Sequence, residues 1–275
     1  MLKHALGVFC RSSDSLFLRE VPMRVVSLVN GSLLSEAASV YAINYAKAIE
    51  CPLTFLFVDN GLESIDKFQS SLATLEEISE ASGVPFEVVI LKGDVIDQLQ
   101  HFAQLYSIDT VFCATRKQSN THSFSEKIVR SGIETAIAVV KVKNVSQVRS
   151  FHRVLLAAGE TINSHCYLLW IGLISSNQAL GKLYLQNSRN VKKASSKSGL
   201  KYEAAPFVQL AGMLKQQVEV VQVLQPVNPA SMNNYLVEND LDLVIYNAAS
   251  YPKKILNQIT DQSSINSILF YPWKA

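Results

Sequence analysis

The feature that most constrains the fold of this chain is an alternation of apolar runs and amphipathic segments between Gly83 and Lys143. Three runs have the length and β-branched composition of buried strands: Phe86–Leu91, Thr110–Ala114 and Ala136–Val140. After the first run, Asp94 can cap a helix whose apolar residues recur every three or four positions as far as Tyr106. A shorter helix is expected at 125–130. Strands that alternate with helices predict a parallel sheet covered on both faces.

The residues before this stretch show the same alternation. Strands are expected at Arg24–Val29 and Leu53–Val58, and Ser32 can cap the helix that joins them. A second helix, Leu62–Ser82, is expected to end at Gly83. Residues 23–143 are therefore predicted to form one doubly wound α/β domain with a five-stranded parallel sheet.

The chain then repeats this pattern. Arg153–Thr161 matches Arg24–Ser32, and Leu241–Tyr246 matches Ile108–Cys113 at nearly the same offset, which indicates a duplication. Three further helices are expected in the second copy, at Ile162–Ser176, at Lys201–Gln217 and from Asn228-Pro229 onward. Three further strands are expected at Gly181–Gln186, Val218–Leu224 and Ser267–Tyr271. The second domain is placed at 151–275, after a linker at Lys143–Ser150.

Composition excludes several classes of protein. The 275 residues are long for one core, and a 48% hydrophobic, 17% charged chain is typical of a globular protein with large buried sheets. A net charge of +2 gives no sign of a nucleic-acid partner. No run reaches the roughly 18 apolar residues of a membrane span, and a cytoplasmic location is expected. Residues 1–22 are expected to be an N-terminal extension, with Met23 as an internal start; a short helix docked on the body is the alternative.

The cysteines and histidines do not predict a metal site. The four cysteines lie far apart, and the five histidines show no ligand spacing with carboxylates. Cys113 lies inside an apolar run, where a thiol usually acts as a small hydrophobic group. We therefore expect no metal.

Two segments carry a resemblance to a known family. The run LKGDVIDQLQHFAQLYSIDTVFCATRK, followed by SFSEKIVRSGIETAIAVVKV, resembles the universal stress proteins, and the opening SLVNGS is similar to that family's first strand and turn. The resemblance implies a tandem universal stress protein. It also implies that the two domains pair within the chain through their last strands, near Ala136–Val142 and Ser267–Tyr271. A homodimer and a separate protein partner are further expectations.

The resemblance also bears on nucleotide binding. Family members that bind ATP use an aspartate after the first strand and a glycine-rich loop after the fourth, where backbone N–H groups close around phosphates. Here Asn30 stands in place of the aspartate, and Ala114, Lys117 and His122 stand in place of glycines; only Ser123 keeps its type. The second copy has Gly159 and the loop Ala248–Pro252 at these places. We therefore expect no cofactor, with ATP or AMP as the alternative.

Any ligand is expected at the carboxyl edge of the first sheet, where open α/β sheets bind ligands. The polar residues expected there are Asn30, Ser32, Asp59, Arg116 and Ser123. A purely structural interpretation stays open: a solvated loop at Arg116 and Lys117, a helix cap at Ser123, and a turn at Asn30. The basic stretch Arg189–Lys201 is interpreted as a mobile surface loop, with an anion site or a membrane-surface site as the alternative.

No catalytic motif occurs in the sequence. There is no G-x-S-x-G elbow, P-loop or G-x-G-x-x-G after Val29 or Ala158. We expect a non-catalytic regulatory or stress-response protein. Two alternatives are an adenine-nucleotide sensor that uses the first domain, and a cytoplasmic regulatory module for a membrane antiporter.

Overall fold

The computed structural model describes residues 23–61, 64–115, 124–159, 162–186, 199–223 and 228–273. Contacts divide the chain into two units, Met1–Val139 with Trp273–Ala275, and Val140–Pro272. This division falls a few residues before the predicted linker. The domain boundaries expected from the sequence, 23–143 and 151–275, stay a prediction.

The first unit is built from alternating strands and helices. They are β1 (Arg24–Leu28), α1 (Leu33–Ala48), β2 (Leu53–Asp59), α2 (Ile65–Ser82), β3 (Phe86–Lys92), α3 (Val95–Leu105), β4 (Ile108–Ala114), α4 (Phe124–Arg130) and β5 (Ala136–Lys141). The strand order is β3-β2-β1-β4-β5. Strand β1 pairs in parallel with both β2 and β4, and β2 pairs in parallel with β3. The chain therefore reverses its direction of winding between β1 and β4.

Local sequence explains where these elements begin and end. The Ser32 hydroxyl accepts a hydrogen bond from Ser35 N, and the Asp94 carboxylate accepts from Ile96 N and Asp97 N, so α1 and α3 start with side-chain caps as predicted. Helix α2 ends at Gly83, whose φ of 70° lies in the left-handed region that glycine adopts without strain. These three signals are local, and the structure confirms them.

The second unit repeats the architecture. Its elements are β6 (Arg153–Gly159), α5 (Ser164–Asn177), β7 (Leu180–Gln186), α6 (Gly199–Met213), β8 (Val218–Val223), α7 (Pro229–Glu238), β9 (Leu243–Asn247), α8 (Lys253–Gln262) and β10 (Asn266–Tyr271). The strand order is β10-β9-β6-β7-β8, and every neighbouring pair is parallel. Both units thus have the same topology. The predicted fold class, two tandem five-stranded parallel α/β domains, is confirmed.

One element of the second unit was missed in the sequence. Helix α8 was not predicted, although Leu256, Ile259 and Thr260 recur at helical spacing and are buried. Strand β9 begins at Leu243, and the carboxylate of the preceding Asp242 accepts hydrogen bonds from His152 N and Arg153 N.

The segment predicted as a linker is hydrogen-bonded to the second unit. Lys143 N and Asn144 N both donate to Asn266 Oδ1, at 2.8 and 2.9 Å, and Asn266 Nδ2 donates back to Asn144 O at 2.8 Å. Gln147 Nε2 reaches Asp242 Oδ1 at 3.2 Å. These bonds fix the residues that lead into β6.

Candidate functional site

A cavity opens at the carboxyl edge of the first sheet, where β1 and β4 lie side by side. Its volume is about 230 Å³. The residues that line it are Leu28, Val29, Asn30, Ser32, Leu34, Ser35, Leu56, Val58, Asn60, Val95, Cys113, Ala114 and Phe124. This is the place where doubly wound sheets bind ligands, and it is the candidate site.

The floor of the cavity is apolar. Leu28 of β1 is in register with Leu56 of β2, and Cys113 lies near the end of β4, the other neighbour of β1. All three residues are buried. Burial raises the pKa of the Cys113 thiol to about 12, so this thiol stays protonated at neutral pH and acts as part of an apolar surface.

The rim of the cavity carries a network of three polar side chains. Asn30 Oδ1 accepts from Ser32 N at 3.1 Å and from Ser32 Oγ at 2.7 Å. Ser35 Oγ accepts from Asn30 N at 3.2 Å and donates to the Ser32 carbonyl at 2.8 Å. The network fixes the turn between β1 and α1, so Asn30 also has the structural role that the alternative interpretation gave it.

Gly31 allows this turn to pass close to α2. Its φ is 77°, and a Cβ atom there would lie 2.6 Å from the backbone carbonyl carbon of Lys67 and from Phe68 N. Both atoms belong to a helix backbone, which cannot move aside cheaply. A glycine is therefore required at this position by space as well as by backbone conformation.

Of the five predicted site residues, two line the cavity, one does not, and two lie outside the described residues. Asn30 and Ser32 line the cavity together. Asp59 ends β2 but is not among the lining residues; its Oδ1 accepts from Gly61 N at 3.0 Å, and Asn60 lines the cavity instead. Arg116 and Ser123 lie outside the described residues. A ligand-binding role for these residues stays a prediction.

Sequence reasoning missed most of the lining. Val95 and Phe124 are the first residues of α3 and α4, and Leu34 lies in the first turn of α1. In the sequence, these apolar residues look like ordinary core residues. Their position in the sequence could have identified them as lining residues, because a residue that starts a helix after a parallel strand lies at the carboxyl edge of the sheet.

The corresponding edge of the second unit carries different side chains. Gly159 ends β6 with φ of 77°, and a Cβ atom there would lie 2.4 Å from the Cβ atom of Ser250. Asn247 Nδ2 donates to Ser250 Oγ at 2.8 Å, so the turn after β9 is held over the end of β6. The predicted counterparts, Gly159 and Ser250, are thus in contact with each other.

Charged groups of the first unit gather at the opposite end of its sheet. Arg24 forms a hydrogen-bonded ion pair with Glu87, and its guanidinium lies 4.4 Å from the ring centroid of Tyr106. Tyr45 donates to the buried Asp109 carboxylate at 2.9 Å. These contacts stabilise the amino edge of the strands and lie away from the cavity lining.

Within the described residues, the structure shows neither a metal site nor a membrane-spanning helix. They contain no group of three or more His, Cys, Asp or Glu side chains that could hold a metal ion. Cys51, Cys113 and Cys166 are free thiols. Nor does any helix among the described ranges combine the length and hydropathy needed to span a membrane.

Comparisons with known proteins identify the fold. No family model matches the chain, and no curated protein matches it in sequence. Among solved structures, it is similar to a universal stress protein from Archaeoglobus fulgidus DSM 4304, with a TM-score of 0.57 and 14% identity over 89% of this chain and 94% of that one. A putative universal stress protein from Pseudomonas aeruginosa UCBPP-PA14 gives a TM-score of 0.53 and 10% identity over 90% and 92%.

A third similar structure is the cytoplasmic domain of a prokaryotic cation chloride cotransporter. Its TM-score is 0.59, at 12% identity over 91% of this chain and 95% of that domain. All three likenesses extend over both units of the chain. The chain therefore has the tandem universal stress protein fold, and the resemblance inferred from its sequence is confirmed at the level of the fold.

Proposed function

We propose that this protein is a non-catalytic regulatory or stress-response protein whose first unit holds a small ligand in the cavity between β1 and β4. The observation that carries the proposal is the lining itself. It places an apolar floor at Leu28, Leu56 and Cys113 beneath a polar rim at Asn30 and Ser32. Such a site suits a small, mostly apolar ring with a few hydrogen-bonding groups.

The same lining argues against tight binding of ATP. Drug-sized ligands occupy pockets of about 300 to 1,000 Å³, and this cavity holds about 230 Å³. Every lining residue within the described part of the chain is uncharged, so the phosphates would gain no cation from those residues. Because Ala114 replaces a glycine at the end of β4, the backbone there is also less free to close around a phosphate.

The lining also supports a non-catalytic role. Among the residues that the structure describes, it contains no histidine, carboxylate or amine that could transfer a proton. Its one thiol, Cys113, has a pKa raised by burial and is a poor nucleophile at neutral pH.

The decisive experiment is a mass spectrum of the small molecules released when freshly purified protein is heat-denatured, followed by calorimetry with the released compound and with ATP. We expect a compound smaller than a nucleoside triphosphate, and no saturable ATP binding at low micromolar concentration. An Ala114→Met variant should fill the cavity and abolish binding, whereas Ala249→Met in the matching turn of the second unit should not. Tight ATP binding, or turnover of ATP to ADP, would show that the proposal is wrong.

A second candidate is a regulatory module for a membrane transporter. The observation that favours it is the likeness, over nearly the whole chain, to the cytoplasmic domain of a cation chloride cotransporter. Cross-linking in intact cells, with mass spectrometry of the membrane fraction, tests this candidate. A transporter cross-linked to the first unit, and lost when exposed residues of that unit are changed, would support it; recovery of the chain without any membrane protein would exclude it.

A further inference from the structure

Helix α6 of the second unit has an apolar face that packs on the rest of the unit. Ala204 and Ala211 are buried, and the ring centroid of Phe207 lies 4.8 Å from that of Tyr167. The Tyr167 hydroxyl also donates a hydrogen bond to the Phe207 carbonyl. Because Ala204, Phe207 and Ala211 follow one another at spacings of three and four, they form the inner face of the helix.

The opposite side of α6 carries a second row of apolar residues, which faces solvent. Pro206, Leu210, Met213 and Leu214 follow one another at helical spacing, and we call them the outer face. Leu210 is 36% exposed, Leu214 is 48% exposed, and Met213 is 76% exposed. A surface helix normally carries polar residues on the side away from the core. Packing within the unit therefore does not explain the outer face.

Backbone hydrogen bonds hold the end of the outer face in place. Leu214 N donates to the Leu210 carbonyl at 3.0 Å, and Lys215 N donates to the Gly212 carbonyl at 3.0 Å. Lys215 has a φ of 56°, the left-handed conformation that commonly ends a helix. The outer face is therefore a fixed apolar surface, and a cation follows it directly in the chain.

The charge of the chain is concentrated around this helix. Residues 187–217, which include α6, contain six cations and one acid and so carry a net charge of +5. The remaining residues contain 19 cations and 22 acids and carry a net charge of −3. Net charge acts over a distance of about 10 Å at physiological salt and requires no fixed side-chain positions. The outer face thus lies in the positively charged part of a chain that is otherwise negative.

These two features together distinguish between possible partners. A second copy would bring two segments of net charge +5 into one interface, which like-charge repulsion disfavours. A nucleic acid would be contacted by cations and would gain little from four apolar side chains. A bilayer that contains anionic lipids offers both an apolar layer for the outer face and negative headgroups for the cations.

We propose that the outer face of α6 binds the surface of a lipid bilayer that contains anionic lipids. The helix would lie in the plane of the membrane, with Leu210, Met213 and Leu214 at the boundary between headgroups and acyl chains. Stable anchoring takes two strong signals, and a short apolar row with a basic segment supplies only moderate ones. Binding should therefore be reversible and should depend on lipid composition. The proposal is independent of the cavity in the first unit, so either can fail while the other holds.

The test is flotation of the full chain with two kinds of vesicle, one of phosphatidylcholine alone and one with roughly one third phosphatidylserine. We expect binding to be at least about tenfold tighter to the anionic vesicles and to weaken as salt is added. Met213→Glu places a carboxylate in the outer face and should weaken binding at least about tenfold, whereas Met213→Leu should keep the affinity of the wild type. Reversing two charges, with Lys192→Glu and Lys193→Glu, should weaken binding to the anionic vesicles alone.

A matched control is Val237→Glu. Val237 lies on α7 of the same unit and is 63% exposed, so this variant introduces the same charge away from α6 and should bind vesicles as the wild type does. Both glutamate variants should unfold at the temperature of the wild type, because both positions are exposed.

Three results would overturn the proposal. The first is equal binding to the two kinds of vesicle, and the second is undiminished binding by Met213→Glu. The third is a marked fall in the unfolding temperature of Met213→Glu but not of Val237→Glu, which would show that the outer face is covered within the protein. A dimer in sedimentation that Met213→Glu dissociates, without vesicle binding, would instead assign the outer face to a second copy.

Discussion

The two units share one topology but build different carboxyl edges. In the first unit, Leu28 of β1 is paired with Leu56 of β2, and Cys113 of β4 lies nearby. A cavity lies above these three residues. In the second, the corresponding row carries Tyr184 and Tyr246 on either side of Ala157. Strand order is thus kept while the size and polarity of side chains at the strand ends change. A duplicated fold need not keep a duplicated ligand site.

The largest expected effect is alkaline unfolding that begins in the second unit. Among the described residues, burial raises the pKa of six groups in the second unit and of three in the first. The six are Cys166, Tyr167, Tyr184, Tyr235, Tyr246 and Tyr251, and the three are Tyr45, Cys51 and Cys113. A folded-state pKa above the unfolded value contributes stability that is present below the unfolded pKa and is lost as the pH rises. Stability should therefore fall from about pH 9 upward.

Fluorescence can separate the two units in this experiment. Trp170 is wholly buried in the second unit, and the other tryptophan, Trp273, is half exposed. In a Trp273→Phe variant, the emission of Trp170 should change at lower pH than the main loss of far-ultraviolet circular dichroism. A Trp170 transition that follows the main loss would contradict the comparison.

The next largest effect is expected from alanine at Gly31, in the turn after β1, and at Gly159, the last residue of β6. Gly31→Ala places a Cβ atom against helix backbone and should cost more than about 3 kcal/mol of unfolding free energy. Gly159→Ala meets the Ser250 side chain, so a second change, Ser250→Gly, should recover part of its loss. Gly132→Ala is the control: its φ is also positive, but nothing lies within 4 Å, so about 1 kcal/mol is expected. Urea unfolding measures all four variants, and equal losses would refute the steric argument.

A smaller effect should distinguish buried tyrosines of the two units. Tyr45→Phe removes the donor to the buried Asp109 carboxylate and should destabilise the protein by about 1 to 3 kcal/mol. Tyr246→Phe removes a hydroxyl that has no hydrogen-bond partner among the described residues, so it should change stability by less than about 1 kcal/mol. A large loss from Tyr246→Phe in urea unfolding would mean that its hydroxyl is already satisfied.

The smallest effect concerns two asparagines at helix starts. Asn30 accepts from Ser32 N before α1, and Asn163 accepts from Cys166 N as the cap of α5. Changing either to Asp keeps the acceptor and adds a negative charge near a helix N-terminus, which is worth about 0.3 to 1 kcal/mol. Both variants should gain similar stability in thermal unfolding at neutral pH. Only Asn30→Asp should alter ligand binding, because only Asn30 lines the cavity.

Much of the fold could be predicted from the sequence because the signals that start and end its helices and strands are local. Caps at Ser32, Asp94 and Asn228, the helix end at Gly83, and the apolar runs of the strands depend on neighbours a few residues away. The overlooked α8 is strongly amphipathic but begins after Pro252 without a side-chain cap, so no start signal marked it. The predicted pairing of the two domains through their last strands stays a prediction.

The sequence by itself determined the alternation of strands and helices, apart from α8, and the duplication. It also predicted the edge at which a ligand would bind. Only the tertiary structure decided which side chains line that edge. Leu28 and Leu56 of the cavity floor, like Tyr184 and Tyr246 of the second sheet, look like ordinary strand residues in the sequence. Their neighbours are set by strand register across distant parts of the chain, and register depends on packing of the whole sheet rather than on local pattern.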